Sequence, residues 1–186
     1  MKMSIPNHFL HIKTLKHSKK GTLYTARNIA KNINNIQHDI VLFKEFDKSL
    51  SYNFVKDKSR EMIIPKELFY IQLIDDSNIC PVILDCFETY THFNVVVEYL
   101  HGDWINMHDF TKNQKLTKEN ENLISNNIDK ALCKLNSRGI FYLDINLKNV
   151  AINEKNFRIK LTDFEEISYF PEEKNHQIAH LVGRIL

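Results

Sequence analysis

The 186-residue chain has little glycine and little proline, four of each. That scarcity excludes collagen-like repeats and argues against a linker-rich or disordered chain. No apolar run approaches the roughly 20 residues of a membrane-spanning helix, so no membrane partner is expected. An excess of one charge is also missing: 25 Lys and Arg face 23 Asp and Glu, a net charge of +2. Generic nucleic-acid binding is therefore not expected. Cysteine is sparse, and Cys80, Cys86 and Cys133 lie in apolar surroundings without a C-x-x-C pair or histidines at metal-ligand spacing. Buried free thiols in a reducing compartment are expected. The opening MKMSIPNHFLHIK lacks the apolar core and small-residue cleavage site of a secretory signal, which points to a cytoplasmic protein. Lysine supplies almost all the positive charge, and asparagine and isoleucine are abundant. This is read as coding bias of an AT-rich genome; a viral source would mean the cytoplasm or nucleus of the host.

What is present is a globular composition, 43% hydrophobic and 26% charged, at a length suited to one domain or two small lobes. Short runs at His11–Leu15, Thr22–Ala26 and Ile40–Phe46 read as a meander of strands. Ile63–Ile74 reads as a helix with Pro65 in its first turn. Pro81–Phe87 and Phe93–Tyr99 read as strands, the second buried, because three consecutive valines favour a pleated environment. After Leu100 the pattern turns helical. One helix begins at Met107–Phe110, and a long one opens at Thr117-Lys-Glu-Asn120 and runs to about Ser137, with Leu123, Ile124, Ile128, Ala131, Leu132 and Leu135 as its apolar stripe. Strand-like pieces at Asn149–Asn153 and Phe157–Thr162 flank a turn at Glu154-Lys155-Asn156, and His176–Leu186 reads as a final helix. Strands with one inserted helix, followed mostly by helices, imply an α+β protein with a β-rich part and a helical part.

The most informative stretch is Gly139-Ile-Phe-Tyr-Leu-Asp-Ile-Asn-Leu-Lys-Asn-Val150, followed by Arg158-Ile-Lys-Leu-Thr-Asp-Phe-Glu165. Asp144 and Asn149 sit in a loop after the long helix, and Asp163 ends a strand 19 residues beyond Asp144. Each alone is an ordinary turn former. Their joint order and spacing resemble the catalytic loop and metal-binding motif of the eukaryotic-type protein kinase superfamily.

The resemblance implies a bilobal fold, with a β-rich N-terminal lobe over residues 1–100 and a shortened, mainly helical C-terminal lobe over 101–186. It implies ATP and Mg²⁺ as cofactors, with Asn149 and Asp163 as metal ligands, Asp144 as the group that orients the acceptor hydroxyl, and Lys148 neutralising the γ-phosphate. Many family members place that lysine two positions after the aspartate, where this chain has Asn146. Tyr142 replaces the family histidine and is expected in core packing. Upstream, Leu15–Ala26 resembles the glycine-rich loop, with Gly21 on its third glycine and Lys16 and Ser18 in place of the first two. Ile40–Phe46 resembles the V-A-I-K strand, which nominates Lys44 for the α- and β-phosphates and Glu67 as its ion-pair partner. FNVVVEYL resembles the strand entering the hinge, with Val97 at the gatekeeper position and the backbone of Glu98–Leu100 facing adenine.

The chain departs from the family in having Leu143 for the arginine of H-R-D, Glu165 for the glycine of D-F-G, and no A-P-E-like motif. The resemblance implies first a Ser/Thr-type protein kinase acting on a protein substrate. It leaves open a pseudokinase that binds a partner kinase or regulatory protein, and a small-molecule kinase, which the D-F-E sequence resembles.

Overall fold

The computed structural model describes residues 6–18, 21–29, 39–57 and 61–170. They form two compact units, one from the residues up to Asp75 with Pro81–Tyr99, the other from Asp76–Cys80 with the residues from Leu100 onward.

In chain order the first unit comprises strands β1 (Phe9–Ser18), β2 (Gly21–Asn28) and β3 (Ile40–Asp47), a hairpin of β4 (Phe54–Asp57) and β5 (Met62–Pro65), helix α1 (Lys66–Ile74), and strands β6 (Ile83–Glu88) and β7 (His92–Glu98). Five strands make one antiparallel sheet in the order β1-β2-β3-β7-β6. Strands β3 and β7 send apolar side chains to both faces of the sheet, and each face is covered by a core. Val41, Phe43 and Val96 join Phe9, Tyr24 and Ala26 in one core; Phe46, Val95 and Val97 join Ile64 and Leu68 in the other. Burial on two faces explains why β7 reads as a continuous apolar run, and each fully buried valine or phenylalanine contributes about 1.5–3 kcal/mol. Phe43 anchors the first core, stacked on Tyr24 at 4.8 Å and edge-on to Phe9 at 4.9 Å.

The helix expected over Ile63–Ile74 is corrected. Residues Met62–Pro65 are a strand paired with Phe54–Asp57, and α1 begins at Lys66. Pro65 caps the helix from outside it, at φ −55° and ψ 137°. A residue before proline is disfavoured in the α region, and β-branched Ile63 and Ile64 favour the extended chain.

The second unit contains β8 (Trp104–Asn106), α2 (Met107–Asn113), α3 (Lys118–Asn136), β9 (Ile140–Tyr142), β10 (Val150–Asn153), β11 (Ile159–Leu161) and β12 (Ile167–Tyr169). Sheet order is β11-β10-β8, with β12 and β9 as a separate pair. Among the described residues this unit has two helices and five short strands, of which β8, β9 and β12 were not expected. Helix α3 starts where its cap predicts: the Thr117 hydroxyl accepts the N–H of Asn120 at 3.2 Å. Glu119 and Glu121 in the first turn and Lys134 in the last complement the helix dipole. It buries Ile124, Ile128, Ala131, Leu132 and Leu135, but Leu123 is 43% exposed and leaves the expected stripe. Of the cysteines, Cys80 is buried, whereas Cys86 and Cys133 are exposed, contrary to expectation. They lie on an edge strand and on the outer side of α3, where neighbouring apolar letters face away from them. The helix expected at His176–Leu186 lies outside the described residues.

Candidate active site

Strand β9 delivers the chain into the loop that carries Asp144. Its last residue, Tyr142, pairs with Ile167 of β12, and Leu143 N–H donates to Glu166 O at 3.0 Å, so the loop leaves from a fixed frame. The loop then folds on its own amides. Asn149 Nδ2 donates to Asp144 Oδ2 at 2.7 Å and to its backbone oxygen at 3.2 Å. Asn146 Nδ2 donates to Asp144 Oδ1 at 2.9 Å, and Asn146 Oδ1 accepts the N–H of Lys148 at 2.9 Å. Each carboxylate oxygen of Asp144 is thus held by one amide, while the residue stays exposed. The Lys148 side chain is also exposed.

Asp163 follows β11 and is tied to the same loop. Thr162 N–H donates to the backbone oxygen of Asn149 at 2.8 Å. The buried Tyr142 hydroxyl donates to the carbonyls of Thr162 and Asp163, 3.0 Å away in the second case. Asp163 has φ 63°, a left-handed conformation that costs a residue other than glycine about 1–2 kcal/mol. Such strain persists where neighbours over-determine the backbone, and here Tyr142, Asn149 and the buried Phe164, edge-on to Tyr142 at 5.5 Å, do so. The structure therefore brings Asp144, Asn149 and Asp163 together in one hydrogen-bonded unit.

In the first unit, Lys44 and Glu67 form an ion pair, with the Glu67 side chain 4% exposed and that of Lys44 18%. Lys44 stands opposite Val95 in the sheet, and Glu67 lies in the first turn of α1. Gly21 opens β2 at φ 149°, and a Cβ there would lie 1.7 Å from the backbone oxygen of Glu45. Close approach of β3 thus requires glycine at this position whatever ligand it meets. Val97 is buried on β7, and Glu98 accepts the N–H of Val82 through its carboxylate at 3.2 Å. Tyr99 and Leu100 mark the passage from one unit to the other.

Two residues act here beyond their expected parts. Tyr142 is core, but its hydroxyl also ties the loop to the Asp163 backbone, as a polar group on a buried strand position must find a partner. Asn146 stands where a lysine is common in the family, and here it orients the Asp144 carboxylate and accepts the Lys148 N–H. An asparagine two residues before a loop N–H is a familiar side-chain turn former, and that signal was present in the sequence.

The chain matches the model of the protein kinase domain over residues 20–183. It is also similar to the protein kinase C zeta type of Oryctolagus cuniculus, 35% identical over 79 residues, which is 42% of this chain and 13% of that protein. The match spans a small part of that relative's length. With the domain model covering most of its residues, the chain belongs to the protein kinase domain family.

Proposed function

We propose that the chain transfers the γ-phosphoryl group of ATP to a Ser or Thr hydroxyl of a protein, with Mg²⁺ as the metal. The observation that carries this reading is the clamp on Asp144. Because Asn149 uses its Nδ2 on Asp144, its side-chain oxygen is left facing no donor among the described residues. That oxygen and the Asp163 carboxylate are the hard oxygen donors Mg²⁺ prefers. Bound Mg·ATP would supply the transferable phosphoryl group and a charge-neutralising cation.

The chain's own contribution is positioning and electrostatics, as phosphoryl transfer asks little covalent work of a protein. Asp144, its two oxygens oriented by Asn146 and Asn149, accepts the proton of the acceptor hydroxyl. Lys148, exposed and two residues beyond the position usual for the neutralising lysine, offers a cation to the phosphoryl oxygens. In this reading Lys44, held by Glu67, contacts the α- and β-phosphates, Gly21 approaches them through its backbone, and the backbone of Glu98 and Leu100 receives the adenine. Wild-type protein should gain thermal stability from Mg·ATP and transfer labelled phosphate, and Asp163→Asn should abolish both. Absence of a shift and of turnover with any divalent metal would refute it.

A second reading is favoured by Leu143 and Glu165 at the family's arginine and glycine, and by Lys16 and Ser18 at two glycines of the nucleotide loop. In it the chain is a pseudokinase that engages a partner kinase. Its forecast is a stable partner complex that survives Asp144→Ala, without phosphate transfer.

A further inference from the structure

The second unit carries a small cleft, about 230 Å³, to which neither Asp144, Asn149 nor Asp163 contributes. Lys130 and Lys134 of α3, Arg158 at the entry to β11, and the amides of Asn78 and Asn127 line it above Ile79. One carboxylate serves this group: the Asp76 side chain, 8% exposed, pairs with Lys134. Among the described residues no carboxylate pairs with Lys130 or Arg158, so two positive charges are left unbalanced. Lys130 and Lys134 stand one helical turn apart, a like-charge spacing that disfavours the helix and is relieved by an anion between them.

Arg158 is held in place by neutral groups. Arg158 Nη2 donates to Asn78 Oδ1 at 2.7 Å, and its backbone N–H donates to Asn156 Oδ1 at 3.0 Å. Asn127 Nδ2 donates to Phe157 O at 3.0 Å, fixing the turn that presents Arg158. Asn78 N–H in turn donates to Asp76 Oδ1 at 2.9 Å, which joins the Asp76–Lys134 pair to the residue that orients the guanidinium. A guanidinium anchored through one N–H keeps its remaining donors for an oxyanion.

We propose that this cleft binds a phosphoryl dianion. Size and charge select that ligand class. The cleft is smaller than the roughly 300 Å³ at which small-molecule pockets begin, a size that suits a single phosphoryl group. Two unbalanced cations match a phosphoryl dianion and over-match a carboxylate, which carries one charge. The ligand is either the phosphorylated side chain of a protein or free phosphate, and the inference stands apart from the proposed phosphotransfer, since it needs no turnover.

The test is an NMR titration of the ¹⁵N-labelled full chain with sodium phosphate, with N-acetyl-O-phosphoserine amide and with N-acetylaspartate amide. Saturable shifts are expected at Arg158 and across residues 127–134 for both phosphoryl probes, with half-saturation at about 1 mM. Tighter binding of the phosphoserine probe assigns the site to phosphorylated side chains, and equal binding assigns it to free phosphate; either supports the proposal. The Lys130→Ala/Arg158→Ala variant should weaken binding at least about tenfold. Both side chains are exposed, and Lys130→Gln alone, expected to weaken binding several-fold, provides a milder check. Unsaturable or scattered shifts, equal binding of the aspartate probe, or unchanged binding in the variants would overturn it.

Discussion

The hydroxyl of Tyr142 lies 3.0 Å from the backbone oxygen of Asp163, 21 residues further along the chain. This contact joins the entrance of the Asp144 loop to a backbone position held in a left-handed conformation. Removing the hydroxyl leaves the carbonyls of Thr162 and Asp163 short of a buried donor. Tyr142→Phe should therefore cost about 1–3 kcal/mol. Urea unfolding measures this, and a variant as stable as wild type would show that the hydroxyl does not hold Asp163.

Lys44 and Glu67 make a paired charge in a largely buried setting. Taking away one partner strands the other, at a cost of about 3–5 kcal/mol, whereas replacing both with apolar groups is near neutral. Lys44→Met should lower the unfolding midpoint sharply, and Lys44→Met/Glu67→Leu should recover most of the loss without recovering nucleotide binding. Thermal unfolding with and without Mg·ATP separates the two effects.

Asp76 gives the molecule an acid-side dependence with a defined sign. The Lys134 ammonium, aided by the Asn78 N–H, holds its carboxyl below the ordinary carboxylate range against the opposing effect of burial. The folded state then releases this proton at lower pH than the unfolded state. The pair's contribution is complete above the unfolded value near 3.9 and is lost as pH falls through the depressed folded value. Urea midpoints of wild type and Lys134→Ala should differ at pH 6 and converge in acid. A gap that stays constant with pH would contradict the assignment.

Asn94 of β7 is fully buried, and among the described residues neither polar atom of its amide has a hydrogen-bond partner. Burying an unpaired amide costs about 1–3 kcal/mol by the standard of protein substitutions. Asn94→Leu, close in volume, should raise the thermal midpoint. A lowered midpoint would show that the amide is satisfied by a buried water that the leucine expels.

How much of this was legible in the sequence depended on where each residue finds its partners. The start of α3 was readable because Thr117 caps it with a bond three residues away, and β7 because burial on both faces needs no alternation. The β4–β5 hairpin was not: its strands have four residues each, and Pro65 suits a first helical turn as well as the position before one. In the site, the spacing of Asp144, Asn149 and Asp163 carried the family resemblance. The bond from Tyr142 did not show, because its acceptors lie some twenty residues downstream and a backbone oxygen leaves no mark in the sequence. Leu123 and the exposed Cys86 and Cys133 misled for a simpler reason: an apolar letter beside a stripe reads like a member of it.

The central claim, that this chain is a phosphotransferase with Asp144 as its proton acceptor and Asp163 as a metal ligand, is tested most directly by labelled γ-phosphate transfer from Mg·ATP to a mixed protein substrate. Wild type, Asp144→Asn and Asp163→Asn are compared, with nucleotide binding followed in parallel. The account predicts transfer by wild type, loss of at least about 100-fold in Asp144→Asn with binding retained, and loss of both binding and transfer in Asp163→Asn. Equal transfer by wild type and Asp144→Asn, or none by wild type that binds Mg·ATP, would contradict it.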